Sequence, residues 1–281
     1  AMKNFGNLRP ECVKQHIKDY FLIPNSYKIK IINDSARGTA FIGKAPVSTT
    51  HSGEYFGKYP ITISAEPKQG YAFSHWEINK IALSEKTLIP VQSIWSYNDN
   101  GTNEGVVWRE PSFDDSSWKT GNGPFGYNET VVKTKVSYGP NSGNKYITTY
   151  FRKSFTISNI DSISSAKISL MRGDGAIVYV NGKELIRSNF NFGDSVHYLT
   201  VASAGPTESD EITYNQYDLP VSYLTNGVNV IAVEVHQVSS SSSDLSFDLS
   251  LTCTQTNSGA ASTETKKDYQ FVITDDAEYT A

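Results

Sequence analysis

The amino-acid sequence predicts a mainly β fold with one short N-terminal helix. Three observations lead there. Past residue 26 the hydrophobic period changes to two, as in Tyr27-Lys28-Ile29-Lys30-Ile31. Asn181-Gly182 sits between two apolar runs, a strong type I′ hairpin signal. Aromatic residues make up 12% of the 281 residues, with 17 Tyr, while charged residues reach only 19%; that is a globular, β-rich composition and not a disordered one.

The helix is predicted over residues 8–21, LRPECVKQHIKDYF. Pro10 suits its first turn and Glu11 its positive N-terminal end. Val13, Ile17, Tyr20 and Phe21 form an apolar stripe at 3/4 spacing, and Pro24-Asn25 ends it. A lone helix of this length is marginal in water, so it is expected to dock on a β region. Four strands follow. They are Tyr27–Ile31, Thr39–Ile42 after the turn 33–38, Tyr59–Pro67, and Gly70–Ile78. This stretch of about 60 residues is near the lower limit for an independent core.

A second β region runs from about 92 to 254. Its strand candidates are Tyr146–Ile157, Ala166–Met171, Ala176–Val180, Lys183–Ile186, Val228–Val238 and Leu245–Cys253. Strands at this spacing without helical crossovers argue for a sandwich or jelly roll. Residues 255–268, TQTNSGAASTETKK, read as a flexible polar linker. Tyr269–Ile273 is strand-like again.

The charge and the cysteines exclude several classes. A net charge of −4 gives no global drive toward nucleic acid or an anionic membrane. No apolar run approaches the roughly 18 residues that a membrane span needs. Two distant cysteines, Cys12 and Cys253, cannot form a disulfide framework or a zinc site. Cys253 alternates onto the apolar face with Phe247, Leu249 and Leu251 and is read as a buried, inert thiol. Ala1-Met2 reads as an expression scar, so the chain is expected to be a fragment.

The candidate chemistry is sparse. Gly121-Asn122-Gly123-Pro124-Phe125-Gly126 fits GxGxxG, but a dinucleotide site needs a strand before it and a helix after it. Here polar loop precedes and Pro124 interrupts, so the glycines are read as turn residues. Asp114-Asp115 and Asp99–Glu104 have the oxygen content of a calcium loop, yet neither has EF-hand spacing. Asp114 or Asp115 accepting backbone N–H bonds in a turn, with Trp118 packing inward, is the simpler reading. Glu234 and His236 share one strand face, opposite Ile231, Val233 and Val235; His236 beside Gln237 serves either a sugar hydroxyl or a loop. No GxSxG, HExxH, CxxC or GxxxxGK[ST] occurs, and the five His are scattered. Trp95, Trp108 and Trp118 lie in a loop-rich stretch with Tyr127 and Tyr138. Exposed, such aromatics stack on the C–H faces of sugar rings; buried, they are core anchors.

Three resemblances refine this. Gly38-Thr39-Ala40, Ile61–Pro67 and Gly70-Tyr71-Ala72-Phe73-Ser74-His75-Trp76 resemble the divergent internalin B-repeat type of small surface β domain. The ending of that family's pattern occurs here only at Phe271–Ala281. The resemblance therefore implies a discontinuous domain, 25–84 plus 269–281, interrupted by an inserted one. Phe113–Trp118, Gly126-Tyr127, Tyr138-Gly139, Thr149–Lys153, Gly173–Gly182, Asn226–Gln237 and Ser243–Leu245 resemble a galactose-binding-like jelly roll, implied over 90–254. Where that family reads Asp-Asp-Gly this chain has Gly173-Asp174-Gly175, which removes one carboxylate. The same alignment puts the integrin-type tripeptide Arg172-Gly173-Asp174 at a strand end, as a tight turn. Leu8-Arg9-Pro10 and the helix through Phe21-Leu22-Ile23 resemble the tail of a CotH-type (spore-coat kinase-like) domain, implied over 1–24.

Together these imply a galactose-binding-like jelly-roll sandwich plus a small B-repeat-like β domain and one short helix. The expected function is a non-catalytic, carbohydrate-recognising module of a bacterial surface or secreted protein. The alternatives are a structural spacer or adhesion module, or an accessory domain for an upstream kinase-like or hydrolase domain. Ligand-binding candidates are Trp108, Trp118, Tyr127, Arg172, Asp174, His236, Gln237 and Asp244. No catalytic residue and no cofactor is expected beyond a structural calcium. The expected partner is a carbohydrate or glycoconjugate, with no nucleic acid and no membrane insertion, in an extracellular or cell-surface setting.

Overall fold

The computed structural model describes residues 2–191, 193, 195–205 and 211–281. The protein is mainly β, with one helix, α1 (Met2–Phe21). The strands are β1 (Ser26–Ile32), β2 (Gly38–Ile42), β3 (Ala45–Val47), β4 (Thr50–Phe56), β5 (Pro60–Pro67) and β6 (Trp76–Ile89). Then come β7 (Ile94–Asn98), β8 (Lys119–Asn122), β9 (Phe125–Tyr127), β10 (Thr134–Lys135), β11 (Thr148–Ile157), β12 (Ile163–Arg172), β13 (Gly175–Val180) and β14 (Lys183–Ser188). The last are β15 (Asn215–Leu219), β16 (Gly227–His236), β17 (Leu245–Glu264), β18 (Asp268–Val272) and β19 (Asp276–Thr280). The chain forms two compact units, residues 1–83 with 256–281, and residues 84–255.

In the first unit β19 lies between β6, antiparallel, and β1, parallel, and β1 pairs with β4. A second sheet runs β18-β5-β2-β3. The period-two pattern puts Ile29 and Ile31 of β1, Ile63 of β5, and Trp76 and Ile78 of β6 into one core with Ile273, Ala277 and Tyr279. β6 starts at Trp76 and not at Gly70. Lys68–Tyr71 turn back on themselves, with the Tyr71 amide donating to the Lys68 carbonyl oxygen and Gly70 at φ +89°. The helix is longer than predicted, and its apolar stripe does not dock: Val13, Tyr20 and Phe21 are exposed. It is tethered instead by polar contacts, Lys14 to Glu54 at 2.7 Å and the Lys58 ammonium to the Phe21 carbonyl oxygen at 2.9 Å.

The expected linker over 255–268 is strand as far as Glu264. Polar composition suggested a flexible segment, but backbone pairing decides: Gly259 approaches the Lys80 carbonyl so closely that a Cβ there would sit 2.7 Å from its oxygen.

The second unit is a two-sheet sandwich. One sheet runs β14-β13-β16-β11-β7-β8, antiparallel throughout. In the other, β12 lies between β15 and β17, and β17 also pairs with β9, which meets β10. Asn181 and Gly182 both have positive φ, +50° and +81°, as the hairpin between β13 and β14 requires. Gly126 is imposed by the pairing of β9 with β17: a Cβ there would lie 1.8 Å from the Leu245 carbonyl oxygen. The GxGxxG-like run is therefore strand and turn, and no helix follows it.

The facing sheets close on an aromatic stack. Phe151 of β11 stacks on Phe247 of β17 at 4.1 Å between centroids, with Trp95 edge-on to Phe247 at 5.3 Å and Phe125 5.1 Å from Phe151. Ile231, Val233 and Val235 of β16 fill the same core, and Cys253 is buried in it, its thiol pushed up by burial. The opposite face of the six-stranded sheet is covered too. Trp108 from the one-turn helix Val107–Arg109 packs there on Tyr150, Tyr179, Ile177 and Ala232. Arg152 of β11 pins this covering loop: its guanidinium donates to the carbonyl oxygens of Trp108, Glu110 and Phe113 and pairs with Asp115.

Phe247 is fully buried and touched on three sides by rings. Phe247→Ala is expected to cost about 3–5 kcal/mol, read as a lower denaturant midpoint at unchanged slope. A loss under about 1 kcal/mol would show that the stack is not the centre of this core.

Candidate carboxylate cluster and buried polar network

The eight residues expected to bind ligand fall into two groups. Trp108, Trp118 and His236 belong to one, and Tyr127, Arg172, Asp174, Gln237 and Asp244 to the other. His236 and Gln237 are adjacent in sequence yet serve different groups.

The first group lies on the covered face of β16. Glu234 Oε1 accepts from the Tyr179 hydroxyl at 2.7 Å and from Arg109 Nη2 at 3.2 Å. The Arg109 guanidinium lies 4.1 Å over the Tyr179 ring. His236 Nε2 is 3.3 Å from Glu234 Oε2. His236 Nδ1 faces the Thr200 carbonyl oxygen at 2.7 Å and Thr148 Oγ1 at 2.9 Å. The Thr148 hydroxyl donates to the Tyr198 carbonyl oxygen, so the proton between His236 and its neighbours sits on Nδ1. Burial raises the Glu234 carboxyl, but the adjoining His236 ring, the Tyr179 hydrogen bond and the Arg109 charge outweigh it and hold the group below the ordinary carboxylate value. Trp108 and His236 are fully buried, and Trp118 is half-buried against Trp108, Phe113 and Tyr150. Trp108 therefore offers no free face for stacking, because the loop that carries it folds over the sheet.

The second group surrounds the turn between β12 and β13 and the loop before β17. Gln237 Nε2 donates to the Tyr127 hydroxyl at 2.7 Å and to the Asp244 carbonyl oxygen at 3.2 Å. Asp174 Oδ2 accepts from the Val238 amide at 2.6 Å. Arg172 Nε donates to Ser188 Oγ at 2.9 Å. Tyr127, Arg172, Asp174 and Gln237 are all buried, so the Arg172-Gly173-Asp174 tripeptide is a buried turn and not a protruding loop. Asp244 is half-buried, and with it the fold gathers two carboxylates that sequence reading missed, Glu129 and Glu211. One oxygen from each of the three lies within 4.8 Å of the others. Positions 129, 211 and 244 share no local pattern, so only the fold reveals the cluster.

Electrostatics mark this cluster. Burial, the charges of Asp244 and Glu129, and a hydrogen bond with Glu129 push Glu211 up to about 7. Burial above all raises Asp174 as well. Such a group can share a proton between Glu129 and Glu211 or offer oxygens to a hard cation or to hydroxyl donors. The carboxylates with calcium-loop oxygen content are engaged elsewhere, as the turn reading expected. Asp114 accepts from the Ser116 amide in a turn, Asp115 pairs with Arg152, and Asp99 takes Lys119 at 2.6 Å and the Ser137 amide. Among the described residues, Glu129, Glu211 and Asp244 are the group whose donors could hold a metal.

No family model matches the chain. Over 131 residues, 45% of the chain, it is 31% identical to the probable β-galactosidase B of Emericella nidulans, and the match covers 12% of that protein. Among solved structures it is similar to a β-glycosidase from Bacteroides vulgatus, with 20% identity over 59% of this chain and 20% of that one, at a TM-score of 0.38. It is also similar to the β-glucuronidase of Bacteroides uniformis, with 18% identity over 61% and 18% of the two chains, at a TM-score of 0.41. Likeness at this level does not speak to substrate. The sequence match corrects one expectation: the chain was read as a non-enzymatic fragment, with any catalytic domain upstream of it, and the relative it matches is a β-galactosidase by name.

Glu211 supplies a pH test. Its folded value, near 7, lies above the ordinary value of 4.5. The folded state therefore holds the extra proton between those values, and stability falls as pH rises through that window. Because Glu211 is part-exposed, the effect is on the order of 1 kcal/mol, or about 2–4 °C. Between pH 5 and 8 the wild type should lose that much more melting temperature than Glu211→Gln; parallel curves would contradict the raised value.

Proposed function

We propose that this chain is the carbohydrate-directed β part of a glycoside-hydrolase-type protein, with residues 84–255 as its sugar-directed sandwich. The observation that carries the reading is the 31% identity over 131 residues to a probable β-galactosidase. The chain spans about an eighth of that relative, so an activity on β-galactosides belongs to the proposal and to the whole protein. The two-sheet architecture supports it, since such sandwiches carry sugar sites on their edges and loops.

Burial decides where contacts are available. Trp108 and Tyr127 are enclosed, whereas Glu129, Glu211 and Asp244 keep part of their surface in water. Their oxygens can accept from sugar hydroxyls, and charge-assisted hydrogen bonds of this kind are the strong ones. The B-repeat-like character of the smaller unit, the CotH-type opening and the extracellular setting belong to the same proposal and rest on sequence resemblance.

Calorimetric titration of the chain with β-1,4-galactobiose tests it. The expected result is saturable binding weakened about tenfold, or 1.4 kcal/mol, by Asp244→Ala. Absence of binding to galactobiose and to other β-linked disaccharides would overturn the reading.

A further inference from the structure

The first unit contains a pocket that belongs to none of the sites above. Its volume is about 330 Å³, and it is lined by residues of the loops after β1 and β5 and of the ends of β5 and β6. That size is at the small end of the roughly 300–1,000 Å³ typical of ligand sites and suits one or two sugar rings better than a larger ligand.

The lining mixes aromatic and acidic residues. Tyr71, 54% exposed, and Phe73, which is held against the core by Trp76 at 5.6 Å between centroids, line it together with Asp34, Glu66 and Glu77. Arg37, which also lines the pocket, is paired with Asp34 at 3.0 Å. The flanking loops are joined before any ligand arrives. The Lys68 amide donates to the Arg37 carbonyl oxygen at 2.9 Å, and the Lys68 ammonium to the Ser35 carbonyl oxygen at 2.7 Å. Lys68 thus clamps the two loops together, and a site held open in this way loses less entropy on binding.

Aromatic rings and carboxylates lining one small pocket suit the two kinds of surface a pyranose presents. The ring's C–H face lies against the electron-rich aromatic face, and its hydroxyls donate to the carboxylates. The three carboxylates in the lining, with Arg37 paired to Asp34 and the Lys68 ammonium turned to the Ser35 carbonyl oxygen, repel an acidic sugar. We propose that this pocket binds a non-acidic pyranose, the neutral end of a glycan, and rejects uronic acids. The inference stands on the pocket's own geometry and is independent of where the second unit binds sugar.

Residue-resolved NMR titration of the whole chain separates the two. β-1,4-Galactobiose, cellobiose and N,N′-diacetylchitobiose are added in turn, with glucuronic acid as the counter-probe. The expected result is that at least one neutral disaccharide shifts the amide signals of Tyr71, Phe73 and Glu77, that glucuronic acid does not, and that Tyr71→Ala weakens the effect about tenfold. Tyr71 is exposed on a turn, so this variant should fold; Glu77→Gln, which keeps the shape, is the second probe and should weaken binding too. Shifts confined to the signals of Glu129, Glu211 and Asp244 would overturn the pocket and leave the reading of the second unit standing. Shifts confined to the pocket would do the reverse. Equal binding of glucuronic acid, or no shift at Tyr71 with any probe, would overturn the inference.

Discussion

A sheet buried on both faces has no solvent in which to leave a polar group, and the six-stranded sheet of the second unit is such a sheet. β16 shows the consequence most plainly. Its inward residues, Ile231, Val233 and Val235, close the core. Its outward residues include Glu234 and His236, both buried. A buried carboxylate without partners costs several kcal/mol, so the network of Arg109, Tyr179, His236, Thr148 and Thr200 is a condition for this strand to exist. Arg152 works the same way on the covering loop: one buried guanidinium answers three loop carbonyls and a carboxylate.

That constraint distributes the roles. Of the tryptophans in the loop-rich start of the sandwich, Trp108 is consumed as cover for the sheet and Trp95 as core, so neither offers a free face. Chemistry at the surface is left to groups the sheet does not enclose: the carboxylates near Asp244 and, in the other unit, the pocket walled by Tyr71 and Phe73. Both present oxygens to hydroxyl donors, which is why a carbohydrate-directed reading fits a chain whose matched relative is a glycosidase.

Much of the fold was legible because local and tertiary preferences agree. The alternation through Phe247, Leu249, Leu251 and Cys253 and the Asn181-Gly182 turn each have one physical solution, and the structure contains both. Residues 255–264 misled because their strand is made by backbone pairing and not by apolar content. The α1 stripe misled in the other direction: its pattern is amphipathic, yet polar tethers hold the helix. Of the residues expected to bind ligand, Tyr127, Arg172, Asp174, Gln237 and Asp244 lie together in the fold, but their burial was not readable, since it depends on which loop covers which face. Glu129 and Glu211 carried no signal at all. Carboxylates this far apart in sequence meet through topology alone.

The claim on which this account turns is that the Trp108–Glu234–His236 face is structural cover and not a binding surface. Urea unfolding of Glu234→Ala, measured beside galactobiose binding, tests it most directly. The account predicts a loss of about 3–5 kcal/mol in stability, because the buried Tyr179 hydroxyl and the half-buried Arg109 lose their acceptor and the buried His236 loses its carboxylate neighbour, with affinity unchanged at temperatures where the variant is folded. Wild-type stability together with lost sugar binding would contradict it.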